Sequence, residues 1–196
     1  MKVPYLLKHN FLSDLKFSQV MSELNNISSL PDVLTNNEAT HGGGDPNFAS
    51  RYAIWMNQIY TERMYSHIWK LSFEESLLEY GQLSPQGRYV RDVNIQEYSA
   101  PLVSYYGTGG CYRRHHDMSF FTALLWLCNP PQLFEGGDFI LHDSGETIPF
   151  SNNTLLIMPG WADHEVTPVT IKEYNDSPPG RFCISFFFVP EPKYRE

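Results

Sequence analysis

Cysteine, charge and long apolar runs are all scarce in this chain. Only three cysteines occur among 196 residues, Cys111, Cys128 and Cys183, and no two of them have the CxxC spacing of a structural zinc site. An odd number of widely spaced cysteines argues against a disulfide framework and favours reduced thiols. We therefore expect a cytoplasmic protein without structural disulfides.

Apolar runs long enough to cross a membrane are absent from the sequence. The longest apolar stretch extends from Phe120 to Cys128 and is interrupted by Thr122, whereas a spanning helix needs roughly 20 apolar residues. The first twelve residues, MKVPYLLKHNFL, lack the continuous apolar core and the small-residue cleavage site of a signal peptide. We expect neither membrane insertion nor export.

Positive charge is also in short supply. Lys and Arg number 14 against 22 Asp and Glu, which leaves a formal net charge of −8. Phosphate contacts need a basic face, so nucleic acid is not an expected partner. Hydrophobic residues make up 42% of the chain, which argues against disorder. The length suits one domain over residues 1–196, and the sequence does not indicate an oligomeric state.

The pattern of the sequence changes near residue 95. Before it, Phe17, Val20, Met21 and Leu24 follow the i, i+3, i+4, i+7 spacing of an amphipathic helix. Residues 31–46 are rich in Gly, Pro and Asn and predict a loop. A second helical region is predicted from Asn47 to about Gly81. We therefore expect residues 1–95 to form a mainly helical support.

Residues 96–190 predict short strands separated by turns rich in Gly, Pro, Asn and Asp. The strand candidates are 96–106, 111–117, 120–128, 137–142, 154–158, 164–171 and 181–189. Many short strands at this spacing indicate a β-sandwich or a jelly roll. The predicted fold is mainly β, a double-stranded β-helix (jelly roll) with supporting N-terminal helices on one face. Apolar candidates for its lining are Leu124, Phe139, Leu141, Ile157, Phe186 and Phe188.

The run Cys111-Tyr-Arg-Arg-His-His-Asp117 is the sharpest chemical feature of the sequence. On a strand, His115 and Asp117 point to one face and His116 points to the other. His164 begins a later strand candidate and can supply a third ligand. Two imidazoles and one carboxylate suit Fe(II) and leave coordination positions open, whereas catalytic zinc more often uses His₃ or His₂Glu. The alternative for each residue alone is an ordinary surface or capping position.

Arg181 opens the last predicted strand, whose other residues are almost all apolar. A guanidinium that reaches into the interior needs a carboxylate partner, because an unpaired buried charge is costly. Its planar fork matches a carboxylate at two points. The alternative is an exposed Arg that simply follows Pro-Pro-Gly. An HxD triplet, then a His, then an Arg on the final strand is a rarer combination than any of these features alone.

Several short segments, in this order, resemble the prolyl-4-hydroxylase-like branch of the 2-oxoglutarate- and Fe(II)-dependent oxygenases. The resemblance extends from Tyr98 to Val189. It is carried by Tyr105-Tyr-Gly-Thr-Gly-Gly-Cys-Tyr112, the HxD triplet, Thr122-Ala-Leu-Leu-Trp-Leu127, Gly136-Gly-Asp138, His164-Glu-Val-Thr-Pro-Val169 and Gly180-Arg-Phe182. It implies a jelly-roll enzyme that uses Fe(II), 2-oxoglutarate as cosubstrate and O₂, with ascorbate as a candidate accessory reductant.

The resemblance also implies a role for individual residues. His115, Asp117 and His164 would bind Fe(II), and Arg181 would pair with the distal carboxylate of 2-oxoglutarate. The other residues implied at the cosubstrate site are Tyr105 or Tyr106, Tyr112, Thr122 and Leu124. Asp117 favours hydroxylation over halogenation, because halogenating relatives lack this carboxylate.

The sequence departs from the family pattern at two places. Trp126 stands where the family often has a Tyr, so a hydrogen bond from that Tyr to the cosubstrate would be lost or remade. The stretch between His164 and Arg181 is longer than usual, and residues 172–179 are predicted to form an extended loop.

Three functions remain open from the sequence. The first is hydroxylation of a prolyl residue in a protein or peptide, which the resemblance favours. The second is the same chemistry on a free amino acid or another small molecule. The third is a cupin-like metal-binding or sugar-binding module without oxygenase activity, which would not need Arg181. The Arg113-Arg114 pair is a candidate attractant for an acidic substrate.

Overall fold

Two helices and several short strands precede the main sheets. The computed structural model describes residues 2–29, 49–71, 73–83, 95–97, 100–174 and 177–190. Strand β1 (Leu6–His9) is followed by helix α1 (Asp14–Ser28), which buries Val20, Met21, Leu24 and Ile27 on one face. The predicted amphipathic helix is therefore confirmed. In the described part of the chain, neither helix has the length and hydropathy needed to cross a membrane.

The second predicted helical region is largely wrong. Residues after Asn47 form strands β2 (Ala49–Ser50) and β3 (Tyr52–Trp55), followed by 3₁₀ turns at Met56–Gln58 and Arg63–Tyr65. Among the described residues of this region, only helix α2 (Glu74–Leu83) is helical over several turns. The helical spacing in this segment is overridden because β3 adds to the edge of a sheet, where it pairs antiparallel with residues 102–105. The predicted loop at 31–46 lies outside the described residues.

The predicted strands of the C-terminal half are confirmed, with two of them divided. They are β4 (Ile95–Glu97), β5 (Leu102–Tyr106), β6 (Cys111–His115), β7 (Phe121–Leu127), β8 (Phe134–Gly136), β9 (Phe139–Leu141), β10 (Glu146–Ile148), β11 (Thr154–Pro159), β12 (His164–Val166), β13 (Val169–Ile171) and β14 (Arg181–Pro190). The short strands β8 and β10 were not predicted.

These strands form two principal antiparallel sheets. The larger sheet has the order β1-β11-β7-β14-β5-β3, with β4 also paired to β14. The smaller sheet has the order β10-β9-β12-β6-β2, and β13 pairs with β8. Sequence neighbours are often separated within a sheet, as in a jelly roll, so the predicted fold class is confirmed.

Side chains along the central strands alternate between two faces, and this divides the core into two parts. On β7, Phe121, Ala123, Leu125 and Leu127 join the cluster that α1 and α2 cover. Leu124 and Trp126 face the space between the sheets, together with Phe139 and Leu141. The predicted lining is therefore wrong for Ile157, Phe186 and Phe188, which lie on the helix-covered side. A two-residue period predicts two faces but does not say which face is inside.

Candidate active site

His115, Asp117 and His164 meet between two paired strands. His115 ends β6 and His164 begins β12, and the two residues are direct antiparallel partners. Asp117 follows β6, where its backbone N–H donates to Gly160 O at 2.8 Å. Each of the three side chains offers one ligand atom, and these atoms lie within 4.8 Å of one another. The structure therefore brings together the three predicted metal ligands.

Local hydrogen bonds orient both imidazoles. His115 Nδ1 lies 2.7 Å from Arg113 O, and His164 Nδ1 lies 2.9 Å from Ala162 O. A carbonyl only accepts, so each Nδ1 carries a proton, and Nε2 is the ring nitrogen left to face a metal ion. These Nε2 atoms lie 3.9 Å from the Asp117 carboxylate. Both rings are thus oriented with Nε2 toward the site, as in a histidine ligand whose other nitrogen is held by a carbonyl.

Thr122 holds the third ligand in place. Its hydroxyl donates to Asp117 Oδ2 at 2.6 Å, and Ser119 Oγ lies 2.7 Å from the same hydroxyl. Thr122 is fully buried on β7. The sequence placed it at the cosubstrate site, whereas its hydroxyl is directed at a candidate metal ligand. Thr122 is therefore a positioning residue for Asp117.

Substituting Thr122 by Val should weaken metal binding by about 10-fold to 100-fold, the usual cost of losing such a supporting hydrogen bond. The shape of the side chain is retained, so the effect would come from the freed carboxylate. Titration with Mn²⁺ measures the affinity without turnover. Thr170→Val, at an exposed position on β13, is the matched control. Equal affinities in the two variants would contradict the role of Thr122.

The three side chains open on a cavity of about 300 Å³ between the sheets. Its apolar wall includes Leu102, Leu124, Phe139, Val166 and Phe187. Leu124 therefore lies where the sequence placed it. Such a wall excludes water from a reactive centre.

Arg181 is completely buried and lines this cavity. Its Nε and both terminal nitrogens have no hydrogen-bond partner within the described residues. The guanidinium carbon lies 5.0 Å from the ring centre of Tyr106, 5.5 Å from that of Trp126 and 5.6 Å from that of Phe150. The aromatic faces contribute a cation–π attraction but accept no strong hydrogen bond. The geometry is that of a cation prepared for an anionic ligand.

Gly137 provides the space that Arg181 occupies. A Cβ at this position would lie 2.8 Å from Arg181 Cδ, and the backbone has φ +72°. Any other residue would push the Arg181 side chain out of place and strain the turn. The Gly136-Gly137 pair in the sequence thus leaves room for the side chain of Arg181 on β14.

The two candidate tyrosines lie on opposite faces of β5. Tyr106 is buried and lines the cavity, and burial raises the pKa of its phenol to about 12, so it stays protonated. Tyr105 packs on Phe182 with ring centres 5.0 Å apart, and its hydroxyl accepts from the Gly180 N–H at 3.2 Å. Of the two alternatives, Tyr106 and not Tyr105 therefore faces the cavity, because adjacent strand residues point to opposite faces.

Tyr112 lies beside the metal ligands, as the resemblance implied. Its ring stacks on His115 with centres 3.6 Å apart, and it lines the cavity. Arg51 is the second neighbour of the Tyr112 ring, and its guanidinium carbon lies 4.6 Å from the ring centre. Arg51 was missed because its segment was predicted to be helical. The available signal was a lone Arg directly before the apolar run Tyr52-Ala-Ile-Trp55.

The residues present fit Fe(II) and 2-oxoglutarate. Two imidazoles and a carboxylate form the donor set that Fe(II) enzymes use. The unpartnered Arg181 guanidinium matches a carboxylate in the same cavity. By contrast, Arg113 and Arg114 are exposed, and Arg114 pairs with Asp163 at 2.6 Å. The two adjacent arginines therefore do not line the cavity.

Comparison with known proteins agrees with this chemistry. Residues 101–189 match the family model of the 2OG-Fe(II) oxygenase superfamily. No curated protein sequence matches the chain. The matched segment contains the three candidate metal ligands and Arg181.

Solved structures share the fold at low sequence identity. A prolyl-4-hydroxylase from Pseudomonas putida is 14% identical, with a TM-score of 0.61 over 94% of this chain and 92% of that one. The viral collagen prolyl hydroxylase of Paramecium Bursaria Chlorella virus-1 is 14% identical, with a TM-score of 0.52 over 95% and 96%. OsALKBH1 is 13% identical, with a TM-score of 0.60 over 95% and 99%. The family match over residues 101–189 supports a dioxygenase that uses Fe(II), 2-oxoglutarate and O₂, and the solved structures share its fold.

Proposed function

We propose that this enzyme hydroxylates an unactivated C–H bond in the manner of a prolyl-4-hydroxylase, with a protein or peptide as substrate. His115, Asp117 and His164 hold the Fe(II), and Arg181 binds the distal carboxylate of 2-oxoglutarate. The observation that carries the proposal is a completely buried guanidinium without a partner in the described structure, facing the same cavity as the triad.

The side chains of the cavity have separable tasks in this reaction. Fe(II) with 2-oxoglutarate and O₂ supplies the oxidising chemistry that inserts oxygen into a C–H bond and releases succinate and CO₂. The three ligands would hold the metal at the wall of the cavity, where a cosubstrate bound in the cavity could reach it. Arg181 fixes the orientation of the cosubstrate, which lowers the entropic cost of reaction. The protonated Tyr106 hydroxyl offers a hydrogen-bond donor, and the apolar wall keeps water away.

The observations support the possible substrate classes, which are proteins or peptides, nucleic acids and small molecules, to different degrees. Two proteins of similar fold are prolyl hydroxylases, but OsALKBH1 has a comparable fold, and a shared fold does not set a substrate. The formal charge of −8 disfavours nucleic acid. The alternative is a free amino acid or another small molecule, which the modest cavity of about 300 Å³ favours. The non-enzymatic alternative is set aside by the family match.

Anaerobic titration of the Fe(II)-loaded protein with 2-oxoglutarate tests the cofactor assignment. A chelated keto acid gives a weak visible charge-transfer band, which we expect in the wild-type protein. Mass spectrometry after aerobic turnover then compares a proline-containing peptide with free L-proline. One added oxygen atom on the peptide supports the proposal, whereas addition only to the free amino acid supports the alternative. A protein that binds Fe(II) but forms no band would contradict the assigned site.

A further inference from the structure

A second buried guanidinium lines the same cavity. Arg51 lies between β2 and β3 and is only 6% exposed. Its one hydrogen bond to a described residue runs from a terminal nitrogen to Ser104 Oγ, and its buried Nε has no partner. A guanidinium has five N–H donors, so most of the hydrogen-bonding capacity of Arg51 is unused by the described residues. An under-satisfied buried cation needs an explanation beyond packing.

The two arginines occupy different parts of the cavity. Arg181 is the antiparallel partner of Tyr106, whereas Arg51 donates to Ser104, two residues away along β5. Arg51 also lies over Tyr112, whose ring stacks on the candidate metal ligand His115. A single cosubstrate carboxylate bound to Arg181 therefore leaves a separate cationic position beside the metal.

The charges of the cavity wall do not balance without a further anion. Among its described residues, Asp117 is the one carboxylate, and it accepts from Thr122. Burial raises the pKa of Tyr106 to about 12 and also raises that of Cys183, so both groups are neutral. Fe(II) and dianionic 2-oxoglutarate offset each other, and Asp117 offsets one guanidinium. One positive charge remains.

We propose that Arg51 binds a carboxylate of the substrate, so the enzyme acts on C–H bonds of carboxylate-bearing molecules. This inference rests on the proposed function. The planar guanidinium matches a carboxylate at two points, and its desolvated setting beside the metal strengthens that pairing. The carboxylate belongs either to a small acid, such as a free amino acid, or to a peptide, at its C-terminus or on an acidic side chain. Arg51 thus determines specificity by fixing how far the reacting carbon lies from the anchored carboxylate.

Matched acid and amide probes test this inference. Their affinities are measured by calorimetry under anaerobic conditions with Fe(II) and saturating 2-oxoglutarate, so Arg181 is already occupied. The pairs are propionate and propionamide, L-proline and L-prolinamide, and a proline peptide with a C-terminal acid or amide. A fourth pair is an internal proline peptide with Glu or Gln beside the proline. In the wild-type protein we expect at least one acid to bind about 10-fold or more tightly than its amide.

Three variants test whether the tighter binding of the acid probes depends on Arg51. Arg51→Gln should reduce it to less than about twofold, and Arg51→Lys, which keeps the charge, should retain part of it. Arg114→Gln removes an exposed arginine outside the cavity and should leave it unchanged. The acid and amide pair with the largest difference in affinity shows whether the carboxylate that Arg51 binds belongs to a small acid or to a peptide. Thermal unfolding shows whether each variant is folded, and the Lys variant keeps the test decisive if the Gln variant is not.

Three results would overturn the inference. One is the absence of any acid preference in the wild-type protein, including the absence of detectable binding by every probe. Another is an acid preference that survives unchanged in Arg51→Gln. The third is loss of the 2-oxoglutarate charge-transfer band in Arg51→Gln, which would make Arg51 a cosubstrate anchor. If the wild-type protein forms no band, the proposed function itself fails and the inference fails with it.

Discussion

Replacing Asp117 by Ala should lower Fe(II)-dependent succinate formation by well over about 100-fold. Loss of a hydrogen bond that merely supports a ligand already costs about 10-fold to 100-fold, so loss of the ligand itself should cost more. Asp117 supplies the one carboxylate among the described residues of the cavity wall, and both histidine Nε2 atoms lie 3.9 Å from it. Without it, two imidazoles remain, which hold Fe(II) weakly. Succinate release and Mn²⁺ titration measure the two effects.

Asp163→Asn is the matched control for this change. Asp163 precedes His164 but directs its carboxylate to Arg114, at the partly exposed surface. Substitution there should leave turnover within about twofold, because an exposed ion pair contributes little. His115→Ala should resemble Asp117→Ala. Retention of activity in both ligand variants would show that the iron is held elsewhere.

Replacing Arg181 by Met should weaken 2-oxoglutarate binding by about 100-fold or more and leave Fe(II) affinity nearly unchanged. Removing one partner of a buried charge pair costs about 3–5 kcal/mol, which corresponds to at least that factor. The metal ligands lie on β6, on β12 and after β6, so the change on β14 does not touch them. Anaerobic titration of the charge-transfer band gives the cosubstrate affinity, and Mn²⁺ titration gives the metal affinity.

Thermal unfolding separates an anchoring role of Arg181 from a structural one. In the ligand-free protein, its buried guanidinium has no hydrogen-bond partner among the described residues, and such a charge opposes folding. Arg181→Met should therefore not lower the Tm, since an apolar chain suits the aromatic surroundings of Tyr106, Trp126 and Phe150. The rise in Tm that 2-oxoglutarate causes in the wild-type protein should disappear.

Arg113→Met makes the same chemical change at an exposed position of β6. It should leave both affinities and the Tm close to those of the wild-type protein. A fall in Tm confined to Arg181→Met, with cosubstrate binding unchanged, would contradict the anchoring role and assign Arg181 to the fold.

The chemistry of the centre was predictable because it depends on local spacing. His115 and Asp117 are two residues apart, and this short spacing brings their side chains to one site although Asp117 lies just past the end of β6. The final strand was predictable for a related reason, since a charged residue at the start of an apolar run calls for a partner. The supporting helix at Asp14–Ser28 likewise followed from its own apolar period.

The segment around Arg51 was not predictable in this way. Tyr52, Trp55, Met56 and Ile59 fit a helical face, yet Tyr52–Trp55 pair with β5. Edge pairing is decided by a strand about fifty residues away, and no local pattern records it. Because this segment was predicted to be helical and not a strand, Arg51 was not recognised as the second cation of the cavity.

The sequence by itself determined the spacing of His115 and Asp117, the position of Arg181 at the start of the last strand and the strand periods, because each depends on neighbours along the chain. Only the tertiary structure decided that Tyr106 rather than Tyr105 faces the cavity, that Thr122 holds Asp117, and that Ile157, Phe186 and Phe188 lie beneath the helices. An alternating pattern defines two faces of a strand but is symmetric between them. The choice is made by what packs on each face, here the helices on one side and the smaller sheet on the other.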